Sequence, residues 1–485
     1  MSQRPSIGMP GGPAPGPLAG GIGAGRDRAG DAAAPGRDRD AREHAGERAG
    51  AEGAQQHVAQ ARWRVLVVGG HGMIGGAFAR RLVQAGHEVV LAGRREGAGG
   101  LRLDFAAMPP HRGLVEQLRG FDLVVNAAGI FQPQGKQDFD AVHVNGVRAL
   151  AEAAVEAGVP RLVHVSALGA DAASDLGYFA SKGAAEDYLL ALPAMTVVVV
   201  RPSLVFSPDG GSTRFFARLA TAPLAPLPGG GRQLVQPIHL DDLVEGMLRA
   251  ATSAPASMRL DAVGPRALPL REYLAGFARA LGRTPRFVGV PMRLLMPLMP
   301  LAERLGGGLA SRDSLRMLAA GNTGDAAAIT GLLGRPPRDP RQFIDTAAAG
   351  ALRGPLRVQR AVGWMRAGLA ALWLGTAWVS LWGYPREGSL ALLARLDLHG
   401  AWATLALWSG ALLDAVFGVA TLLLPRRRRL YQAQLLLITA YSVLISIGLP
   451  EFWLHPFAPL LKNVPIMAMI VALLLLDRTD GPGDR

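Results

Sequence analysis

Residues 65–75 limit what this chain can fold into more than any other stretch. Val65, Leu66, Val67 and Val68 form a short apolar run, and Gly69, Gly72 and Gly75 follow at three-residue spacing as an amphipathic segment begins. The pattern predicts a buried strand, a glycine turn and a helix. Gly69 permits the tight turn, Gly72 lets the backbone approach a pyrophosphate, and Gly75 lets helix and strand pack closely. The helix N-terminus then offers free N–H groups and the positive end of its dipole to phosphate. Gly69, Gly70, His71, Gly72, Met73, Ile74 and Gly75 are therefore the expected cradle of a dinucleotide.

Further apolar runs at 88–91, 123–126, 162–165 and 197–200 alternate with helical patterns at 75–85, 142–157 and 180–192. Val- and Leu-rich strands each followed by a helix predict a parallel sheet covered on both faces. The expected fold is α/β, a Rossmann-type doubly wound parallel sheet over residues 62–345. The second strand runs into Arg94 and Arg95, where an NAD-selective site places a carboxylate on the ribose. Two arginines would instead neutralise a 2′-phosphate, which favours NADP, with NAD as the alternative. Asp104 and Phe105 follow the run 101–103 at the position expected to hold adenine. Asn126, Ala127, Ala128 and Gly129 close the next strand with side chains small enough for a cofactor to approach.

Tyr178 and Lys182 are four residues apart and so share one helical face. An ammonium beside a phenol favours the phenolate, so the tyrosine pKa is expected to be lowered towards a value useful for proton transfer. Ser166 ends the 162–165 run, where its hydroxyl is expected to orient a substrate carbonyl. Only Lys136, Lys182 and Lys462 are lysines among 51 basic residues, which makes the placement of Lys182 informative.

The glycine turn, Asn126-Ala-Ala-Gly129, Asn145, Ser166, Tyr178-Phe-Ala-Ser-Lys182, Arg201-Pro202-Ser203 and Gln236-Pro-Ile-His-Leu-Asp241-Asp242 together resemble a short-chain dehydrogenase/reductase of the extended or atypical branch. That branch includes the NADPH-binding accessory subunit of respiratory complex I, and the resemblance covers about 63–345. It implies Tyr178 as general acid or base, Lys182 as holder of the nicotinamide ribose and Ser166 as stabiliser of the reacting oxygen. It further implies Asn145 in a proton relay, and Arg201, Pro202 and Ser203 lining the nicotinamide pocket.

The chain is 49% hydrophobic and 18% charged, against about 25% charged in an average soluble domain. The excess apolarity gathers in segments 361–382, 400–424, 430–449 and 459–476, most of them near the roughly 20 residues that cross a bilayer. They predict an all-α four-helix transmembrane domain over 361–477, after a linker at 346–360. Arg353, Arg357, Arg360 and arginines 426–429 flank the spans on one side, which places that side and the α/β domain in the cytoplasm of a multi-pass membrane protein. Asp414 lies mid-span, with Arg366, His455 or Lys462 as candidate partners. The run from His455 to Pro465 resembles a DoxX-like membrane domain. Residues 1–61, rich in Gly, Ala, Pro and Arg, read as a disordered tail, and 478–485 as a second tail.

The absence of cysteine removes disulfides, thiolate catalysis and cysteine metal sites, and the histidines show no ligand spacing, so no metal is expected. The net charge of +13 is scattered without any recognition motif, so nucleic acid is not an expected partner. The expected partners are the lipid bilayer and a small hydrophobic carbonyl or quinone; the oligomeric state is not fixed by the sequence. The expected function is a membrane-anchored NAD(P)-dependent oxidoreductase. A non-catalytic NADPH-binding scaffold of a membrane complex and an epimerase or dehydratase are the alternatives.

Overall fold

The computed structural model describes residues 62–477 apart from 95–99, 134, 136, 300–310 and 426. The expected tails at 1–61 and 478–485 and the candidate phosphate-binding residue Arg95 lie outside the described residues. Strands β1 (Arg64–Val68), β2 (Glu88–Gly93), β3 (Leu101–Arg102), β4 (Leu123–Asn126), β5 (Arg161–Val165), β6 (Thr196–Pro202) and β7 (Met258–Ala262) form one parallel sheet. Their order is β7-β6-β5-β4-β1-β2-β3. Helices α1 (Met73–Gln84), α2 (His111–Leu118), α3 (Gly146–Glu156), α4 (Gly177–Leu190) and α5 (Leu240–Ser253) pack on its two faces.

Alternation along each strand builds two cores. Val65 and Val67 face α1 and α5 through Phe78, Leu82, Leu243 and Met247. Leu66 and Val68 face α2, α3 and α4 through Leu118, Leu150 and Leu189. This is why the strands read as continuous apolar runs: both sides are buried. Strand order reverses between β1 and β4, and the crevice beyond their carboxyl ends is where open α/β sheets take ligands.

The run 236–242 is a structural joint to a second, smaller lobe. Gln236 is buried, its amide nitrogen donating to the Gly264 carbonyl and its oxygen accepting from the Gly324 N–H. Asp242 is buried and accepts from the Arg335 side chain and the Arg338 N–H. Beyond it, helix α6 (Leu270–Ala280) presents Tyr273 and Phe277 to Phe206, Leu227 and Phe343.

Residues 346–360, expected as a linker, are helical instead. They open the 33-residue helix α7 (Thr346–Trp378), capped by the Asp345 carboxylate on the Ala348 N–H at 2.7 Å. Ala348, Ala349, Leu352 and Leu356 recur on one face, and the second lobe buries them with Phe277 and Phe343. The same helix then supplies Val362, Leu369 and Trp373 to a bundle with α8 (Gly400–Leu423), α9 (Arg428–Gly448) and α10 (Asn463–Leu476).

Among the described residues, two helices are long and apolar enough to cross a membrane, α8 and α9. The expected first span is the second half of α7 with the turn 379–383, and the fourth forms only the 14 residues of α10. Leu412, Leu436, Ile447 and Leu475 are 66, 73, 78 and 76% exposed, which separates these helices from the core helices of a water-soluble fold. At one end of the bundle Arg366 pairs with Asp477, which also accepts from the Tyr431 hydroxyl at 2.8 Å. Asp414 therefore does not take Arg366. None of its three candidate partners bonds to it, and its Oδ1 has no hydrogen-bond partner among the described residues.

Candidate active site

The glycine turn closes on itself and on β4. Gly69 has φ +77°, and a Cβ there would lie 2.7 Å from the Ala127 carbonyl carbon. A Cβ on Gly75 would lie 2.4 Å from the Gly69 oxygen, and one on Gly72 would lie 3.1 Å from it. Only a Cβ-free backbone fits so close to β4. Gly72 is the N-cap of α1 and receives no side-chain cap, so the first helical N–H groups are left for an anion. Gly70 packs on Leu91, His71 is exposed beside Gly93, and Met73 and Ile74 are partly buried against the first core. The cradle fits a dinucleotide pyrophosphate.

At the end of β2, Arg94 is exposed and donates to the Gln137 amide oxygen at 3.3 Å, and Gln137 donates to Asp104 at 3.4 Å. This joins two expected cofactor residues along one rim. Phe105 does not join them. It is 7% exposed and packs on Gly146, where a Cβ would meet it at 2.6 Å, so it holds α3 to the sheet. Asn126 is fully buried, its oxygen accepting from the Ala128 N–H and its amide donating to His164 Nδ1 at 3.1 Å. Gly129 lies against the Lys182 ammonium.

Tyr178 and Lys182 share a face of α4 as the spacing predicts, but they are not hydrogen-bonded to each other. Lys182 Nζ donates to the Val165 carbonyl at 2.9 Å. The Tyr178 ring packs among Phe131, Phe139, His143 and Phe179 at 5.4–6.0 Å between centroids. Burial pushes the phenol up to about 12, opposite to the lowering expected from an adjacent ammonium. Burial also brings the Lys182 ammonium down to about 8, partly opposed by Glu186.

Asn145, expected in a proton relay, is exposed and outside the cluster. The reason is local: residues 140–145 form a π-helical turn before α3, and the wider turn brings His143 inward. His143 is fully buried. Its Nε2 accepts from the Ile130 N–H at 3.0 Å and its Nδ1 donates to Ser181 Oγ at 3.0 Å, which in turn donates to the Tyr178 carbonyl. Both nitrogens are used by the neutral ring. Burial, then the Lys182 charge, pushes His143 down to about 2. His143 thus clamps the loop after β4 to the turn that carries Tyr178.

Ser166 ends β5 and donates to the Glu186 carboxylate at 2.5 Å. Glu186 is fully buried and also accepts from Arg201 and Arg259. Arg201 is therefore committed to Glu186 and the Ala170 carbonyl rather than free to line a nicotinamide pocket. The Pro202 carbonyl accepts from the Leu168 N–H, and Ser203 Oγ donates to the Gln236 carbonyl at 2.6 Å. Beside Tyr178 a pocket of about 250 Å³ is lined by Phe131, Gln132, Pro133, Phe139, Ser311, Asp313 and Met317. His143, His164, Glu186 and Arg259 were not expected from sequence. Glu186 had a readable signal, four residues beyond Lys182 on the same face.

Residues 65–259 match the NAD dependent epimerase/dehydratase family, and residues 370–471 match the DoxX-like family. The chain is 27% identical over 245 residues to the mitochondrial NADH-ubiquinone oxidoreductase 40 kDa subunit of Neurospora crassa, covering 48% of this chain and 64% of that protein. It is 27% identical over 239 residues to the ceramide reductase of Caulobacter vibrioides, covering 48% and 74%. It is 28% identical over 270 residues to the 4-hydroxy-2-methyl-3-oxo-4-farnesyl-3,4-dihydroquinoline-1-oxide ketoreductase of Stigmatella aurantiaca, covering 50% and 80%. A human epimerase family protein solved with NADPH aligns at a TM-score of 0.46 and 23% identity, over 59% of this chain and 99% of that one.

Two outcomes follow from this geometry. Gly75→Ala forces the turn open against the Gly69 backbone, and overpacking of this kind costs about 1–3 kcal/mol. Affinity for a reduced nicotinamide dinucleotide, read by quenching of intrinsic fluorescence, is expected to fall roughly ten- to hundredfold. His143 and His164 are both held well below their ordinary values, so the unfolded chain binds more protons as pH falls below about 6.5. From these two rings stability is expected to be flat between that pH and about 8, where Lys182 begins to titrate, and to fall by up to ~1.4 kcal/mol per unit per ring below about 6.5. Urea midpoints from pH 7 to pH 5 measure this, with a shallower slope in His164→Leu.

Proposed function

We propose that this chain, which joins an NAD-dependent epimerase/dehydratase-like domain to a DoxX-like helical domain, is a membrane-anchored oxidoreductase. It moves hydride between NADP(H) and the carbonyl or alcohol carbon of a hydrophobic substrate. The observation that carries this reading is Tyr178 in the wall of a mixed pocket, aromatic on one side and bordered by Gln132, Ser311 and Asp313, with Lys182 one turn behind it and Ser166 closing the neighbouring strand.

The bound nicotinamide supplies or accepts the hydride. Tyr178, its phenol raised by burial, is protonated at neutral pH and so gives a proton to the developing alkoxide in the reductive direction. Lys182 is a buried cation beside Gly129, placed to hold the ribose and to stabilise the phenolate left behind. His143 keeps the Ile130 loop against α4 while this happens. Arg94, exposed at the end of β2, favours a 2′-phosphate and hence NADP over NAD.

Phe131, Pro133, Phe139 and Met317 suit an apolar chain or flat ring more than a sugar nucleotide. The names ceramide reductase and farnesyl-quinoline ketoreductase among the relatives support a lipid-like carbonyl; a quinone fits the same description. The membrane reading has α7 cross from Arg366. Eighteen residues at about 1.5 Å per residue span about 27 Å, close to the hydrocarbon thickness. Arg353, Arg357, Arg360 and Arg427 then gather at the end shared with the α/β domain, which favours a cytoplasmic active site.

A scaffold reading has one observation in its favour: Tyr178 and Lys182 are not hydrogen-bonded to each other. One variant separates the two. Tyr178→Phe is expected to lower NADPH-dependent carbonyl reduction by about 10²–10⁴-fold while leaving NADPH affinity within twofold; unchanged function favours the scaffold. In the active protein kcat for reduction should hold from pH 6 to 7 and decline above about 8, as Lys182 loses its proton. Because the chain has no cysteine, topology is tested by single substitutions. In intact cells Leu454→Cys should react with an impermeant maleimide, whereas Arg357→Cys should react only after lysis.

A further inference from the structure

We propose that the cavity between α1 and α5, outside the candidate active site, binds a phosphate ester that carries no nucleobase. The cavity holds about 490 Å³ and shares no lining residue with the pocket beside Tyr178. Arg80 and Arg81 reach it from α1, Arg249 from α5, and Arg335 and Arg338 from the segment after residues 327–333. These three sources are far apart in the sequence, so the fold gathers the arginines; no local run of basic residues does. At about 1.5 Å per residue, Arg80 lies about 12 Å along α1 from Gly72. That is beyond the first turn, whose free N–H groups form the pyrophosphate cradle.

Five guanidinium groups share the cavity wall with three carboxylates. Glu245 accepts from Arg81 Nε at 2.9 Å and from Arg249 Nε at 2.8 Å. Asp242, fully buried, accepts from Arg335 Nη2 at 2.6 Å, and Asp241 accepts from Arg338 Nη1 at 3.0 Å. These bonds fix four guanidiniums in place and still leave an excess of two positive charges. Arg80 is exposed and has no hydrogen-bond or ion-pair partner among the described residues. Arg249 Nη2, Arg335 Nε and Arg338 Nη2 likewise make no hydrogen bond among them. Guanidinium forks match the oxygens of a phosphate, and a phosphate monoester carries about −1.5 to −2 at neutral pH, which balances the excess. Buried Leu240, Val244 and Leu333 give the cavity an apolar floor for the organic part of the ester. No aromatic side chain is among the described lining residues, so a nucleobase has nothing to stack on. The ligand is therefore of a different class from the dinucleotide.

The phosphate could belong to a free ester or to a lipid headgroup, and two arms of one experiment separate these sources. In the first, full-length protein in dodecyl maltoside micelles, with excess NADP⁺ to fill the cradle, is titrated calorimetrically with glycerol 3-phosphate. In the second, native mass spectrometry of the same micellar protein compares retention of phosphatidic acid with that of diacylglycerol, which lacks the phosphate. Wild type should bind glycerol 3-phosphate, or retain phosphatidic acid over diacylglycerol, and either preference should weaken as sodium chloride is raised. Arg80→Glu should lower that binding by about tenfold or more, while Arg94→Ala, at the end of β2, should leave it within about twofold.

Arg80 has no partner to lose, so R80E should keep its Tm within a few degrees of wild type. Arg249→Ala leaves Glu245 paired with Arg81 and covers the case in which R80E does not fold; it should lower the same binding by about tenfold. Loss of glycerol 3-phosphate binding in the folded variants assigns the cavity to a soluble ester. Loss of the phosphatidic acid preference without any binding of glycerol 3-phosphate assigns it to a lipid headgroup. Either result upholds the proposal. Wild-type protein that takes neither probe, or binding that both variants retain unchanged, overturns it and leaves the arginines as a network of ion pairs joining α1 to α5.

Discussion

The buried Glu186 carboxylate ties together the elements around the candidate active site. It projects from α4, the helix carrying Tyr178 and Lys182, and receives Ser166 from the end of β5, Arg201 from β6 and Arg259 from β7. A charge removed from water is costly unless it is paired and fully hydrogen-bonded, and these partners meet that requirement. The consequence is positional. Helix α4 cannot slide along the sheet without breaking a charge-assisted bond, so Tyr178 stays beside the pocket and Lys182 stays beneath Gly129. His143 performs the same service from the other side, joining Ile130 to Ser181 as a neutral ring. Tyr178, Ser166 and Lys182 thus sit on elements held together by the buried polar groups Glu186 and His143.

The second constraint is the continuous helix α7. Its first half completes the second lobe through Leu352 and Leu356, and its second half enters the bundle through Leu369 and Trp373. Two environments are served by one helix because its apolar positions continue through both while its exposed residues change from arginine to leucine and tryptophan.

Strand periodicity made the sheet legible in the sequence, because parallel strands buried on both faces leave uninterrupted Val and Leu runs. The glycine turn was legible for a steric reason: Gly69 and Gly75 admit no Cβ. Tyr178, Lys182 and Ser166 were placed correctly on their elements, yet their bonding was not foreseen. Spacing says which side chains share a face; it does not say that Lys182 turns to the Val165 carbonyl or that Ser166 gives its proton to Glu186. Asn145 stays exposed because a π-turn brings His143 inward instead, and nothing in the local composition announces that turn. The boundary at 346–360 failed for a related reason: arginine-rich spacing looks like a linker until its apolar face finds the second lobe.

The most direct test of the account is transfer of label from deuterated NADPH to a hydrophobic ketone by the full-length protein in nanodiscs, followed by mass spectrometry of the product. The account predicts an alcohol carrying one deuterium at the former carbonyl carbon, formed in step with NADP⁺. Protein that binds NADPH tightly and yields no labelled alcohol from long-chain, isoprenoid or quinone carbonyls would contradict it.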